Sequence, residues 1–210
     1  MKLYSYWRSS SSWRVRWALE TKGIEYDYEA VHLVEDGGHQ HQDWYREKNP
    51  MEQVPLLEFE QDGEVTRIGQ SMAIIEYLED TQPDPSVWPD EPTDRAHARQ
   101  LAEIVNSGIQ PLQNPATFKR VENDKNKWCS HWIRQGLLAY QKLARQFGGH
   151  FSVGDRATTA DACLIPQMYN ARRFDLDMSE FPVLLEIEDR CSELRSFQKA
   201  HPSQQPDAQS

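Results

Sequence analysis

Three short clusters in the first third of the chain carry residue types that could do chemistry. The first is Arg8-Ser9-Ser10-Ser11-Ser12-Trp13-Arg14-Val15-Arg16, four hydroxyls in a row where a short apolar run hands over to a helical pattern. A hydroxyl at a helix start caps free backbone N–H groups; capping accounts for one of these serines but not for four. Unpaired N–H groups and the macrodipole also stabilise anions at a helix N-terminus, and they lower the pKa of a thiol from about 8.5 toward or below neutrality. A bound thiolate fits this place. The second cluster is Asn49-Pro50 followed by Gln53-Val54-Pro55-Leu56. Proline cannot donate to a ladder and is confined to strand starts, edges or special turns. A cis Val54-Pro55 bond would turn the Val54 N–H and C=O toward a ligand, whereas a trans bond would make Pro55 an ordinary strand start. The third cluster is Gly69-Gln70-Ser71, ahead of an apolar helix. Ser71 reads as its N-cap, and Gln70 brings an amide suited to the α-carboxylate and α-amine of an amino-acid-like ligand.

These clusters need elements to hold them. Leu3, Tyr4 and Tyr6 form a first strand, Ser12 to Lys22 a helix closed by Gly23, and the alternation of Ile24, Tyr26 and Tyr28 with Glu25, Asp27 and Glu29 a second strand reaching Leu33. Val54 to Glu60 and Glu64 to Ile68 flank Asp62-Gly63, a hairpin signal. Gln70 to Glu79 is helical, and Glu35 to Lys48 contains a short helix. Strand, helix, strand, weak helix, strand, strand, helix is a thioredoxin-like layout. Residues 82 to 92, QPDPSVWPDEP, hold four of the twelve prolines and read as a linker. Beyond them come only helical periods, at 93–112, 124–147, 158–173 and 183–200. The fold class is α/β plus all-α: a thioredoxin-like domain over 1–81, the linker at 82–92, and a helical domain over 93–210 ending in a loose polar tail from His201.

Composition removes several function classes. The 210 residues carry 23 Lys+Arg against 33 Asp+Glu, a net charge of −10, with 38% hydrophobic residues and a mean hydropathy of −0.80. The acid is unevenly placed: residues 1 to 19 contain Lys2, Arg8, Arg14 and Arg16 and no carboxylate before Glu20. An acidic body with a basic first element disfavours nucleic acid, which needs a broad basic face, but allows a local anion site. No apolar run approaches the roughly 20 residues of a membrane span, so the expectation is a soluble cytoplasmic protein with no membrane partner. Cys129, Cys163 and Cys191 are widely spaced and form no C-x-x-C pair, which suggests neither disulfide framework nor metal site. Cys163 reads as a small buried residue, and Trp128, Trp132 and Tyr140, at helical spacing, as core or dimer packing. Thr158-Thr159-Ala160-Asp161 has the form of a capping box.

In this order and on this layout, the clusters resemble the glutathione transferase family. SSSSWRVRWAL is similar to the SSCSWRVRIAL motif of zeta-class transferases, which act as maleylacetoacetate isomerases, and NPMEQVP, QSMAIIEYLE, GIQPLQN, VGDRATTADACLIPQ and NARRFDLD resemble stretches of the same family in the same order. The similarity runs from Lys2 to Gln205. It implies the glutathione transferase fold, a homodimer, and glutathione as cofactor. Ser9 is then the serine that holds the glutathione thiolate, with Ser10 and Ser11 beside it in the catalytic loop. Gln40, Val54, Gln70 and Ser71 match glutathione-binding positions, Val54 for the cysteinyl backbone and Gln70 with Ser71 for the γ-glutamyl carboxylate. Gln110 and Asn114 match positions that close over the site from the second domain. Arg173 matches an arginine that orients the substrate carboxylate, and Arg8 is a second anion clamp.

The activity implied is cis–trans isomerisation of a dicarboxylic enedione, maleylacetoacetate to fumarylacetoacetate, in tyrosine and phenylalanine catabolism. The thiolate adds to the cis double bond, the resulting single bond rotates, and expulsion of the thiolate leaves the trans acid. One departure from the motif stands out, since Ser11 replaces its usual cysteine; a hydroxyl still donates but is less nucleophilic. Maleylpyruvate isomerases of the same kind also lack that cysteine. They stay open as an alternative, as do a general glutathione transferase, an α-halo acid dehalogenase, and a non-catalytic module of the same fold.

Overall fold

The computed structural model of the chain describes residues 1–114, 117, 120 and 124–209. They fall into two compact units: Met1–Ser86 with Arg195–Ser210, and Val87–Leu194.

The first unit is built on a four-stranded sheet of order β2-β1-β3-β4, with β1 at Lys2–Ser5, β2 at Asp27–Ala30, β3 at Leu56–Gln61 and β4 at Glu64–Gly69. β1 and β2 are parallel, pairing Ser5 with Ala30. β3 runs antiparallel to both neighbours, pairing Leu56 with Tyr4 and with Gly69. The hairpin signal is realised: Asp62 and Gly63 both have positive φ, 55° and 82°, as a two-residue turn between twisted strands requires. Strand side chains alternate between two faces. Tyr4, Tyr6 and Leu56 form one cluster with Val31, Tyr45 and Val54, while Leu3 and Leu57 at alternate positions are also fully buried.

Helix α1 spans Ser10–Lys22 and α3 Ser71–Thr81, with a single helical turn, α2, at Asp43–Arg46. α1 begins two residues earlier than the apolar pattern suggests, because Ser9 in extended conformation caps it and accepts from the Ser12 N–H. It ends at Gly23, whose φ of 66° suits glycine, with the Gly23 and Ile24 N–H groups bonded back to Glu20 and Leu19. α3 corrects another expectation: its N-cap is Gln70, not Ser71, which is the first helical residue. β2 is shorter than the alternation from Ile24 to Leu33 implied.

The second unit contains α4 at Pro92–Glu103, continued by a π-helical turn at Ile104–Ile109 and a 3-10 turn at Gln110–Gln113; α5 at Lys125–Phe147; α6 at Thr159–Arg173; and α7 at Pro182–Glu193. No strand follows Gly69 among the described residues. α6 is buried along most of its length. Its capping box is present: Thr158 N–H donates to Asp161 Oδ2 at 2.8 Å and Ala160 N–H to Thr158 Oγ1 at 3.3 Å. Cys163 is buried, as is Tyr140, whose hydroxyl lies 2.8 Å from Ser152 Oγ. Trp128 donates to the Leu112 carbonyl at 2.9 Å, whereas Trp132 stays 36% exposed.

The linker and the tail both need correction. Residues 82–86 group with the first unit, because the buried Lys22 ammonium, paired with Glu79 at 2.8 Å, also donates to the Gln82 and Pro85 carbonyls. An ammonium taken out of water needs all its donors used. Val87 and Trp88 are fully buried and start the second unit. The helical period at 183–200 is broken at Leu194, whose backbone is extended, and α8, at Arg195–Ala200, belongs to the first unit. Nor is the polar stretch after His201 loose. Gln205 is buried and donates to the Lys199 and His201 carbonyls at 2.9 Å, and Asp207 is bonded at both oxygens. Ser210, the last residue of the expected helical domain, lies outside the described residues.

Candidate functional site

The sheet register gathers most of the predicted site residues of the first unit at one end. β1 leads into the Ser9 turn, β2 into the segment bearing Gln40, and β4 into Gln70, while β3 departs from Val54. Pairing of Leu56 with Tyr4 and Gly69, and of Ser5 with Ala30, puts these four junctions at the same edge.

At the start of α1 the serines form a relay. Ser11 Oγ donates to the Val54 carbonyl at 3.1 Å. Having spent its only proton there, it accepts from Ser9 across the 3.1 Å separating the two hydroxyl oxygens. Ser9 in turn accepts from the Ser12 N–H at 3.2 Å. Ser10 and Ser11 N–H groups are left without partners among the described residues, as helix geometry requires of a first turn. The first turn of α1 carries no acidic residue. Unpaired donors, a dipole and no competing carboxylate suit a bound anionic sulfur.

The loop leading into β3 is fixed from behind. Tyr45, fully buried, donates from its hydroxyl to the Gln53 carbonyl at 2.5 Å, and the Asn49 amide donates to the same oxygen at 2.7 Å. Burial pushes the Tyr45 hydroxyl well above its ordinary pKa, so it remains a donor. The Val54–Pro55 bond is cis. The Val54 carbonyl, which a ligand was expected to use, is taken by Ser11; the Val54 N–H has no partner among the described residues.

Gln40 donates to the Leu33 carbonyl at 3.4 Å and keeps a buried amide oxygen without a partner. A Cβ on Gly38 would stand 2.5 Å from that amide, at a φ of 101°, so glycine there makes room for Gln40. Gln70 has a φ of 67° and makes no side-chain bond to its own helix. A non-glycine residue held in that region stores strain, and here it turns an exposed amide away from capping. Ser71 is buried beside it.

The basic first element divides. Arg16 is buried and donates to the Ala200 carbonyl at 3.2 Å, Ser5 Oγ at 3.1 Å and the Trp7 carbonyl at 3.0 Å. Burial lowers its pKa to about 10, opposed by Tyr28, Tyr26 and Asp207. Lys2 pairs with Glu29 at 3.5 Å. Arg14 is buried too, whereas Arg8 lies over the Trp7 ring, 5.4 Å from its centroid. The charge pattern that pointed to an anion site is therefore in part a structural staple, and its arginine of this role, Arg16, was missed because a buried guanidinium bonded to main-chain carbonyls leaves no sequence signal.

In the second unit, Gln110 opens the 3-10 turn and Asn114 closes it. Arg173 ends α6 and donates to Asn170 Oδ1 at 3.2 Å. Its neighbour Arg172 is engaged by the Glu188 carboxylate.

A thioredoxin-like sheet with an anion-ready helix start, a cis-proline loop and a strained Gln-Ser turn defines a class, and the comparisons agree with it. Residues 8–81 match the family described as glutathione S-transferase, N-terminal domain, and the chain belongs to the glutathione S-transferase family. It is 46% identical over 206 residues to probable maleylacetoacetate isomerase 2 of Drosophila melanogaster, covering 98% of this chain and 89% of that protein. Among solved structures it is similar to the maleylacetoacetate isomerase of Anaeromyxobacter dehalogenans 2CP-1 with glutathione bound in the active site, at 46% identity and a TM-score of 0.90 over 99% and 97% of the two chains. The same bacterial protein is also known with dicarboxyethyl glutathione and citrate in its active site. A holo maleyl pyruvate isomerase, a bacterial zeta-class glutathione S-transferase, superposes with a TM-score of 0.92 at 38% identity over 100% of both chains.

Proposed function

We propose that this chain is a glutathione-dependent cis–trans isomerase of an unsaturated dicarboxylic enedione, converting maleylacetoacetate to fumarylacetoacetate in tyrosine and phenylalanine breakdown, as a cytoplasmic homodimer. The observation that carries this reading is the start of α1, where unpaired N–H groups and a rotatable Ser9 hydroxyl converge with no carboxylate in the turn. When bound, glutathione supplies the thiolate that adds to the double bond and is later expelled.

The chain's own groups bind and orient. Ser9 holds the sulfur, with the Ser10 and Ser11 N–H groups behind it. To do so its proton swings away from Ser11 Oγ, giving up a neutral hydrogen bond worth about 1 kcal/mol for one to a charged acceptor, roughly twice as strong. The exchange is favourable and leaves Ser11 anchored to Val54. The Val54 N–H and Gln40 receive the glutathione backbone, and Gln70 with Ser71 its γ-glutamyl carboxylate. The family resemblance assigns Arg8 and Arg173 to the acid, where a guanidinium offsets charge developing on the enolate, and Gln110 and Asn114 to glutathione. A second reading, maleylpyruvate as substrate, draws support from Ser11 in the motif's cysteine position and from the likeness to the maleyl pyruvate isomerase.

Incubation with maleylacetoacetate and with maleylpyruvate, each with and without glutathione, tests the proposal. Isomerisation at constant glutathione is expected, faster with maleylacetoacetate; stoichiometric depletion of glutathione would replace it with conjugation. Ser9→Ala should lower turnover by about 10²–10³-fold and stability by only about 1 kcal/mol, and near-normal turnover would remove Ser9 from its role.

A further inference from the structure

The turn that delivers Ser9 is gripped by a part of the chain far away in sequence. Ser9 N–H bonds to the Tyr6 carbonyl at 2.9 Å, which closes a turn over Tyr6, Trp7, Arg8 and Ser9. Within it, the Trp7 N–H donates to Asp207 Oδ2 at 3.0 Å, and the Trp7 carbonyl accepts from Arg16 at 3.0 Å. The other oxygen of Asp207 accepts from the Tyr28 hydroxyl at 2.7 Å. Asp207 is held in place by its own neighbourhood: Gln205 ties the segment back to Lys199 and His201, the Ala208 N–H bonds to the Gln205 carbonyl at 3.0 Å, and the His201 ring packs edge-on against Trp13, 5.1 Å between centroids.

We propose that Asp207 is a positioning residue for the Ser9 turn, its carboxylate fixing the Trp7 peptide and through it the place where the Ser9 hydroxyl and the first N–H groups of α1 stand. A carboxylate this close to a site for anions is electrostatically unfavourable unless it is spent on something else. Here both oxygens are used, and the buried Arg16 guanidinium lies near enough to offset the charge. Arg16 meanwhile bonds to Ala200 on one side and to the turn on the other, so Trp7 is held at its N–H by Asp207 and at its carbonyl by Arg16. A two-residue separation from Ser9 makes any play in that peptide directly a displacement of the hydroxyl, and a misplaced group close to the reacting atoms loses effectiveness steeply.

The consequence for glutathione rests on the role of Ser9 proposed above; the effect on the turn does not, and the experiment reads both. Amide hydrogen exchange of the full chain without ligand is compared for wild type, Asp207→Ala and Tyr28→Phe. Asp207→Ala is expected to speed exchange at the Trp7, Ser9 and Ser12 amides as well as in 201–209, whereas Tyr28→Phe, which leaves the Trp7 N–H its acceptor, keeps those three protected. In parallel, Asp207→Ala should raise the KM for glutathione by about tenfold, the equivalent of one lost hydrogen bond to a charged acceptor, and move the acid limb of the pH–rate profile upward; Asp207→Asn, with one acceptor oxygen left, should recover part of both. Faster exchange confined to 201–209, or an unmoved acid limb and KM in Asp207→Ala, would reduce Asp207 to a tail anchor and overturn the inference. Failure of wild type to bind glutathione by calorimetry would overturn the functional reading instead, while the exchange comparison would still decide the role of Asp207.

Discussion

Helices α1 and α6 begin alike, each with a hydroxyl residue in extended conformation, Ser9 or Thr158, accepting from a backbone N–H of the first turn. From there they diverge. At α6 the turn brings its own anion: Asp161, fully buried, accepts from the Thr158 N–H at 2.8 Å and from the Ser152 N–H at 2.9 Å. The Ala160 N–H goes to Thr158 Oγ1 and the Thr159 N–H to the Val87 carbonyl at 2.9 Å, and the helix start becomes a joint in the core. At α1 the corresponding space holds more hydroxyls and no carboxylate, so the positive end of the helix stays available. The contrast teaches that a capped helix start signals nothing by itself; the presence or absence of a resident carboxylate separates an architectural end from a receptive one.

The most forceful way to break the contrast is to give α1 what α6 has. Aspartate caps a helix as well as serine does, so Ser9→Asp should fold with an unchanged melting temperature. A carboxylate about 4 Å from a thiolate costs about 4 kcal/mol at the effective dielectric of a surface site, which should weaken glutathione binding about a thousandfold by calorimetry. Persistent binding would mean that the anion does not sit at this helix start. The reverse change empties α6. Asp161→Asn leaves an amide facing two buried N–H groups, of which it can accept from one, and should cost roughly 3 kcal/mol, a fall of roughly 6–12 °C in melting temperature. Glutathione affinity measured below the transition should be retained.

A smaller effect sharpens the comparison through pH. Burial raises the Asp161 carboxyl above its ordinary value of 3.8, with hydrogen bonds from Thr158 and Ser152 opposing the rise. An acid whose folded-state pKa is raised favours folding most when protonated. The advantage of wild type over Asp161→Asn should therefore be largest below pH 3.8 and shrink as pH rises through the raised value. Melting curves across the acid range check this; the advantage of wild type over Ser9→Ala should show no such dependence, as the first turn of α1 has no carboxylate to titrate.

What could be read in the sequence was whatever depends on local chemistry. Asp62-Gly63 announces its turn because few residues tolerate its backbone, Gly23 its helix end for the same reason, and Thr158 with Asp161 its box because both partners lie within one turn. The serine run, Val54 and Gln70 were legible as candidate site residues since they sit at element boundaries, which the alternation of strand and helix patterns reveals. Ser71 was misread as the cap because a left-handed Gln70 leaves no compositional trace. The attachment of residues 195–209 was hidden for a different reason: its bonds run between a guanidinium and main-chain carbonyls, or between a main-chain N–H and a carboxylate. Main-chain groups are the same at every position, so no pattern of side chains advertises them.

That attachment also bears on how the molecule is made. The first unit is discontinuous, with residues 1–86 at one end of the sequence and 195–210 at the other. Domains tend to fold as they emerge, at roughly 5–20 residues per second of synthesis, so the sheet and α1 are available early. Yet Arg16 lacks the Ala200 carbonyl, and the Trp7 amide its acceptor, until the whole second unit has been translated. Residues 1–86 are synthesised ahead of the second unit yet completed after it, and a nascent chain arrested before Asp207 carries an assembled sheet with an unfinished turn.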